Sequence, residues 1–560
     1  MNAFPPFRVY DHVAQAEQLT RARPTEPAPP AQHPKRMLRT VWTRHRVPLL
    51  ATLPMLPLYG IWWAFLATGG GDLAAQYAWA GFATRHGDSA YNLFWYGGTH
   101  TANYSLISPY LMAGLGVRAV TVVSGIVASW LAAVLITRVD GLRRPLGPAL
   151  LASLALWCNV ASGRTTFALG VAFGLGACLL LIRQRRVVLA AVCAALATMA
   201  SPVAGLFVAV VGAAYLLTRD YVRALTLLVP PAVTVGATTL LFPFKGEQLM
   251  FADRIWPPAL LGLTVTFLAP RTWRVARWSG VVYAAGTVLT YLIASPIGTN
   301  VERFAELFAP AALLAVLLAR PALAGFRRKL LVFALVFSCG WVVKKTGDDL
   351  YVSTKVPAWA AETHGVVRAL DRLGADRARV EVVPARNHRE ASGLAPHVNM
   401  ARGWNRQLDM ERARLFYDGS FSAATYREWL DRWAVGFVVL PLGKPDGYAK
   451  DEARLVRDHR PEWLEPVWQD AHWRVFRVRD AVPLVSGPAS VVSTSSADVV
   501  IRMSRPGIAT VRIAHSPWLH VDGGGCLAPK GEFTQLAVAA PGDYRISSEY
   551  GPSPGPGTGC

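Results

Sequence analysis

The chain has 560 residues, enough for roughly three or four ordinary soluble domains, yet 52% are hydrophobic and only 17% are charged, where a soluble domain carries roughly 25% charge. With a mean hydropathy of +0.29, this excludes a disordered, fibrous or purely soluble chain and leaves a polytopic α-helical membrane protein. The formal charge of +21 does not point to nucleic acid. The basic surplus lies in short clusters between apolar runs, as membrane topology produces, and no basic-aromatic module gathers it.

Residues 1–46 are polar, basic and without an apolar core long enough for a signal peptide, and read as a disordered cytoplasmic tail. Apolar spans are expected at 48–68, 119–138, 146–162, 166–182, 187–201, 202–218, 222–242, 257–270, 278–294, 304–319 and 329–343, about eleven transmembrane helices. The short spans at 187–201 and 257–270 and the Ser201-Pro202 break leave that count open by one or two. With the N-terminus inside, the cytoplasmic turns hold Arg138, Arg143, Arg144, Arg183, Arg185, Arg186, Arg219, Arg223, Arg271, Arg274, Arg277, Arg320, Arg327, Arg328 and Lys329. The opposite loops hold only Arg85, Arg118, Arg164, Lys245, Arg254 and Arg303. Fifteen against six orients the chain in a plasma (inner) membrane with everything after about residue 344 extracytoplasmic. No acidic residue falls in mid-span, which counts against an ion-coupled carrier.

The plan is then a tail at 1–46, a transmembrane domain at 47–345 with its first external loop at 69–118, an extracytoplasmic α/β region at 346–460, and a β-sandwich-like region at 461–560. The α/β reading rests on a helical stretch at 361–373 leading into the strand-like Arg379–Val383, and another at 423–433 leading into Val435–Leu440. Alternating runs at Trp473–Val478, Asp498–Met503, Ile508–Ile513 and Phe533–Val538 carry the sandwich reading. Cys158, Cys178, Cys193 and Cys339 lie in apolar spans as inert thiols. Cys526 and Cys560 are external, where a disulfide between them adds about 3–4 kcal/mol; the alternative is a free terminal thiol at Cys560.

Chemistry concentrates in the first external loop. Asp72 follows Gly69-Gly70-Gly71 at headgroup depth, and the aromatic run Tyr91–His100 and a half-buried helix over Tyr104–Gly116 come after it. A carboxylate there suits a base that takes the proton of an acceptor hydroxyl while a lipid phosphate leaves; the other reading is a cap for a helix starting at Leu73. The Pro/Gly loop Ser295–Phe304 offers Asn300 and Arg303 to a phosphate, unless Arg303 only pairs with Glu302. His100 is a candidate lining residue. Trp404, between Arg402 and Arg406, is placed either to stack on an acceptor sugar or to pack internally.

These features resemble the GT-C class of integral-membrane glycosyltransferases: an acidic first external loop around Asp72, a juxtamembrane helix, many spans and an external C-terminal domain. The segment Ala401–Asp409 is also similar to membrane proteins of actinobacterial type. The resemblance implies a polyprenyl-phosphate sugar donor and a cell-envelope glycan or lipid acceptor, with Asp72 as catalytic base and Arg303 at the donor phosphate; the reading of the residues themselves adds Asn300 on the donor side and His100, Arg402, Trp404 and Arg406 on the acceptor side. Several members carry a second acid beside the first, where this chain has Gly71, so a divalent cation is left open and no metal ligand is assigned. The competing readings are a transporter or flippase of lipid-linked sugar, and a non-catalytic glycan-binding scaffold. Phosphate-loop, zinc-protease and serine-hydrolase motifs do not occur in the sequence.

Overall fold

The computed structural model describes residues 45–182 and 185–550. Most of the expected disordered tail, the turn residue Arg183 and the terminal Cys560 lie outside them. The unit that starts at Val47 carries the architecture.

Every expected apolar segment is helical: His45–Leu66, Val117–Ile136, Leu146–Ala161, Thr165–Leu181, Val187–Ala200, Pro202–Leu217, Tyr221–Leu241, Trp256–Leu268, Arg274–Leu292, Glu302–Ala319 and Gly325–Ser353. Four are long and apolar enough to cross a membrane: His45–Leu66, Val117–Ile136, Tyr221–Leu241 and Gly325–Ser353. Close approach of backbones explains glycines inside the bundle. A Cβ at Gly170 would lie 2.6 Å from Ala204 Cβ, and one at Gly174 would lie 2.9 Å from Val208 Cγ2, which is small-residue packing between apolar helices. Large apolar side chains such as Val188, Val233 and Leu240 face outward and are exposed, the distribution a lipid-facing surface requires.

Two boundaries differ from the sequence reading. The last long helix runs on to Ser353, so the expected division at 345/346 falls inside it; Lys344, Lys345, Asp348 and Asp349 are polar, but they keep helical periodicity and so do not break the helix. The first loop carries the two short strands β1 Tyr91–Asn92 and β2 Thr99–His100, and the α/β region has β3 Arg379–Val382, β4 Val435–Pro441, β5 Leu464–Gln469 and β6 Trp473–Val478, arranged in one sheet in the order β3-β4-β6-β5. β3 and β4 are parallel, and β6 pairs antiparallel with β4 and β5. β5 and β6, assigned from sequence to the sandwich, instead occupy the edge that β4 would leave unpaired.

The C-terminal sandwich follows. One sheet contains Val485–Ser486, Gly507–Ala514, Cys526–Lys530 and Phe533–Val538; the other contains Ala489–Thr494, Asp498–Met503, His520–Asp522 and Gly542–Ser547. Both sheets send alternate side chains into one core, including Ile501, Val511, Leu536 and Ile546. Tyr91, Leu93 and Phe94 of the first loop join that core, which locks the loop to the C-terminal domains. Cys526 is disulfide-bonded.

The loop itself forms the helix Asp72–Arg85, a hairpin pairing Tyr91–Asn92 with Thr99–His100, and the helix Ser108–Leu115. Gly98 sits at φ +121, and a Cβ there would lie 2.3 Å from the Tyr91 ring. Arg412 donates to the carbonyls of Tyr96 and Gly98 at 2.6 and 2.7 Å, so the hairpin is held by the α/β region.

Candidate functional site

A cleft of about 690 Å³ opens where the first loop, the helical bundle and the α/β region meet, and Asp72, Asn300, Arg303, Trp404 and Arg406 all line it. Gly71, at φ +63, is the cap residue of Asp72–Arg85, and no side-chain cap bond forms. Asp72 is therefore the first helical residue and not the expected cap. Its Oδ2 lies 3.7 Å from Arg303 Nη2 and 3.8 Å from Arg164 Nε. These separations exceed hydrogen-bond length, and among the described residues no protein group donates a hydrogen bond to Asp72. The two guanidiniums flank the carboxylate and leave its lone pairs open to the cleft.

Behind Asp72 lies a buried ion network that sequence reasoning missed. Arg164, 8% exposed, donates to Glu306 Oε2 at 2.7 Å and lies 3.3 Å from Asp349 Oδ2. Lys345 joins Glu306 and lies 2.6 Å from Glu302 Oε2. Arg303 therefore does not pair with Glu302, because Lys345 has taken that carboxylate; it turns to Asp72 and over the Phe167 ring at 5.4 Å. The available signal was an isolated Arg164 between two apolar helices, on the face expected to be poor in basic residues. Asp349 and Lys345 gave no such signal, since they fall just past an apolar run.

One turn beyond Asp72, Gln76 lines the cleft. Its Nε2 donates to the Tyr104 hydroxyl, and its buried Oε1 has no hydrogen-bond partner among the described residues.

The opposite wall belongs to the α/β region. His388 stacks on Trp404 with ring centroids 3.5 Å apart and planes 10° apart. Arg406 lies 4.9 Å over the same Trp404 ring and grips Asp446 with two 2.9 Å bonds. Trp404 thus packs against His388 and Arg406 within the protein and also lines the cleft. Burial works against charging His388, but Asp446 and Glu390, 3.6 and 3.4 Å from its two ring nitrogens, outweigh it and raise its pKa. Burial likewise opposes ionisation of Asp446, but the nearby His388 ring and the two hydrogen bonds from Arg406 hold its carboxyl well below the usual range. His388 has φ +53, a left-handed backbone that costs a non-glycine residue on the order of 1–3 kcal/mol.

Two expected acceptor contacts lie elsewhere. Arg402 is 2% exposed, buried between Glu381 and Glu452, with its guanidinium 3.7 Å over the Phe416 ring. The basic-aromatic pattern around it is internal packing. His100 is also buried; it meets Ser516 Oγ at 3.0 Å and packs on Tyr91 and Phe242. Burial lowers its pKa to about 4, so it is a neutral structural ring tying the hairpin to the sandwich. Among the described residues no group of three or more His, Cys, Asp and Glu is placed to hold a metal ion.

No family model matches the chain, and no curated protein matches it. It is similar to two cryo-EM structures of arabinofuranosyltransferase AftD from Mycobacteria, one of them a mutant, at 12% and 13% identity and TM-scores of 0.42 and 0.41. The alignments cover 86% of this chain but only 43% and 42% of those, so the chain spans less than half the length of the proteins it matches. A superposition this loose assigns no residue role.

Proposed function

We propose that the protein is a membrane glycosyltransferase that moves a sugar from a polyprenyl-phosphate donor to a cell-envelope glycan or lipid acceptor at the extracytoplasmic face. The observation that carries this reading is Asp72. It is a carboxylate without a hydrogen-bond partner among the described residues, opening into a large cleft beside two guanidiniums and next to outward-facing apolar helices. In this reading the acceptor oxygen attacks the anomeric carbon as its proton passes to Asp72. The bond between that carbon and the phosphate oxygen breaks, and its electron pair leaves with polyprenyl phosphate. The phosphate gains negative charge as it departs, and Arg303, whose guanidinium is hydrogen-bonded to no carboxylate among the described residues, is the cation that stabilises it, while Arg164 and Lys345 are engaged by Glu306, Asp349 and Glu302. Asn300 joins the donor side, and Gln76 offers an acceptor for a sugar hydroxyl. On the opposite wall Arg406 is paired with Asp446.

The test is turnover by purified protein in lipid vesicles, with a panel of polyprenyl-phosphate sugars and envelope glycan acceptors. Acceptor-dependent release of polyprenyl phosphate by the wild type and its loss in Asp72→Asn support the reading. Undiminished release in Asp72→Asn removes Asp72 as base, and absence of release with every donor removes the transferase.

A further inference from the structure

The segment carrying Asp72 is held from the C-terminal side of the cleft. Gly71 N–H donates to Asn387 O at 2.8 Å, and Gly71 O accepts from Trp404 Nε1 at 3.1 Å. Both polar groups of the residue before Asp72 are thus bonded to the α/β region. Arg389 reinforces the hold by donating to Thr68 Oγ1 at 2.7 Å and Ser353 O at 2.6 Å. The glycines make this approach possible, because a Cβ at Gly70 would lie 2.7 Å from Ser353 O. Asn387 and Arg389 flank His388, whose left-handed backbone turns both neighbours toward the glycine segment.

We infer that His388 and Trp404 are positioning residues for Asp72, forming with Asp446 a clamp through which the α/β region sets where the carboxylate sits. This rests on the reading of Asp72 as base. Asp446 holds His388 and Arg406, His388 stacks flat on Trp404, and the indole N–H reaches Gly71. The chain of contacts ends one residue from the reacting carboxylate. Helix Asp72–Arg85 begins at Asp72, so any shift of Gly71 moves that carboxylate relative to Arg303 and Arg164. The α/β region is then part of the catalytic geometry as well as a wall for the acceptor.

The experiment compares wild type, Trp404→Phe and Asp446→Asn in the full-length protein in vesicles. Trp404→Phe keeps an aromatic ring beside His388 and deletes the bond to Gly71. Hydrogen exchange of the peptide over 68–76, corrected for intrinsic rates, is expected to rise about fivefold in Trp404→Phe, the factor equivalent to one lost hydrogen bond. Peptides from the sandwich are expected to exchange as in wild type. With the donor and acceptor that support turnover, kcat is expected to fall about tenfold or more while KM for the donor stays constant, as misplacement of a catalytic group predicts. Asp446→Asn is expected to move both readouts the same way. Unchanged exchange over 68–76 in both variants overturns the clamp, whether or not turnover is measured. A wild-type kcat in both variants, where Asp72→Asn is inactive, overturns the positioning role and leaves Asp72 as base. An active Asp72→Asn defeats the underlying reading instead.

Discussion

Lys345→Met gives the sharpest test of the buried network behind the cleft. Glu302 is 2% exposed, its Oε2 is paired with Lys345 at 2.6 Å, and its Oε1 has no hydrogen-bond partner among the described residues. Removing the ammonium leaves a buried carboxylate alone, the situation that costs about 3–5 kcal/mol. Glu306 suffers less, because Arg164 still donates to it at 2.7 Å. Arg164→Met, conversely, leaves Glu306 on Lys345, so it strands no fully buried carboxylate. Lys345→Met is therefore expected to be the more destabilising by about 1–3 kcal/mol. Replacing Glu302 by Gln in the same chain is expected to recover most of the loss, since the stranded charge is gone. Denaturant titration of the vesicle-extracted protein, followed by Trp fluorescence, completes the double-mutant cycle. Equal stability of Lys345→Met and Arg164→Met, or no recovery in Lys345→Met/Glu302→Gln, refutes the argument.

Arg402→Met places two fully buried carboxylates, Glu381 and Glu452, face to face without their cation. A stability loss of about 3–5 kcal/mol is expected, read by thermal unfolding, and an unshifted transition contradicts the internal assignment of Arg402. Gly170→Leu drives a side chain into Ala204 and the Ala197 carbonyl; a cost of at least about 1–3 kcal/mol is expected from overpacking, measured by the same titration. His388 gives a pH signature. Its folded pKa is raised, so its contribution is complete below the ordinary value near 6.5 and is lost as pH rises through the elevated folded value. The groups facing it are Asp446, Glu390 and the Trp404 ring, with Arg406 behind Asp446. Asp446→Asn removes one source of the upward shift, and the alkaline decline in stability is expected to move to lower pH. Asp446 acts with the opposite sign. Its depressed folded pKa gives stability that is present above about pH 4 and lost as pH falls, and Arg406→Gln is expected to weaken that acid dependence.

The helical half of the fold was legible because an apolar run of bilayer length is a direct signal, and the sandwich showed itself through period-two alternation. The placement of β5 and β6 was not legible, because strand pairing with β4 depends on partners tens of residues away that a local pattern does not name. At the site, Asp72 was legible as a lone carboxylate just past an apolar span. Arg164 was visible only as a topology marker, since what makes it central is contact with Glu306 and Asp349 on distant helices. His388 carried no local signal, because Trp404 and Asp446 meet it only in the fold. Arg402 and His100 misled for the converse reason. A basic or polar residue among aromatics reads the same whether it faces a cleft or fills a core, and burial decides.

The proposed transfer from a lipid-phosphate sugar turns on Asp72 taking the acceptor proton. Its most direct measurement is acceptor-dependent release of polyprenyl phosphate by wild type and Asp72→Asn in vesicles, each shown to be folded by its unfolding transition. Release by the wild type and a loss of at least about 10²-fold in the variant are expected. Release by Asp72→Asn at the wild-type rate contradicts the proton transfer to Asp72.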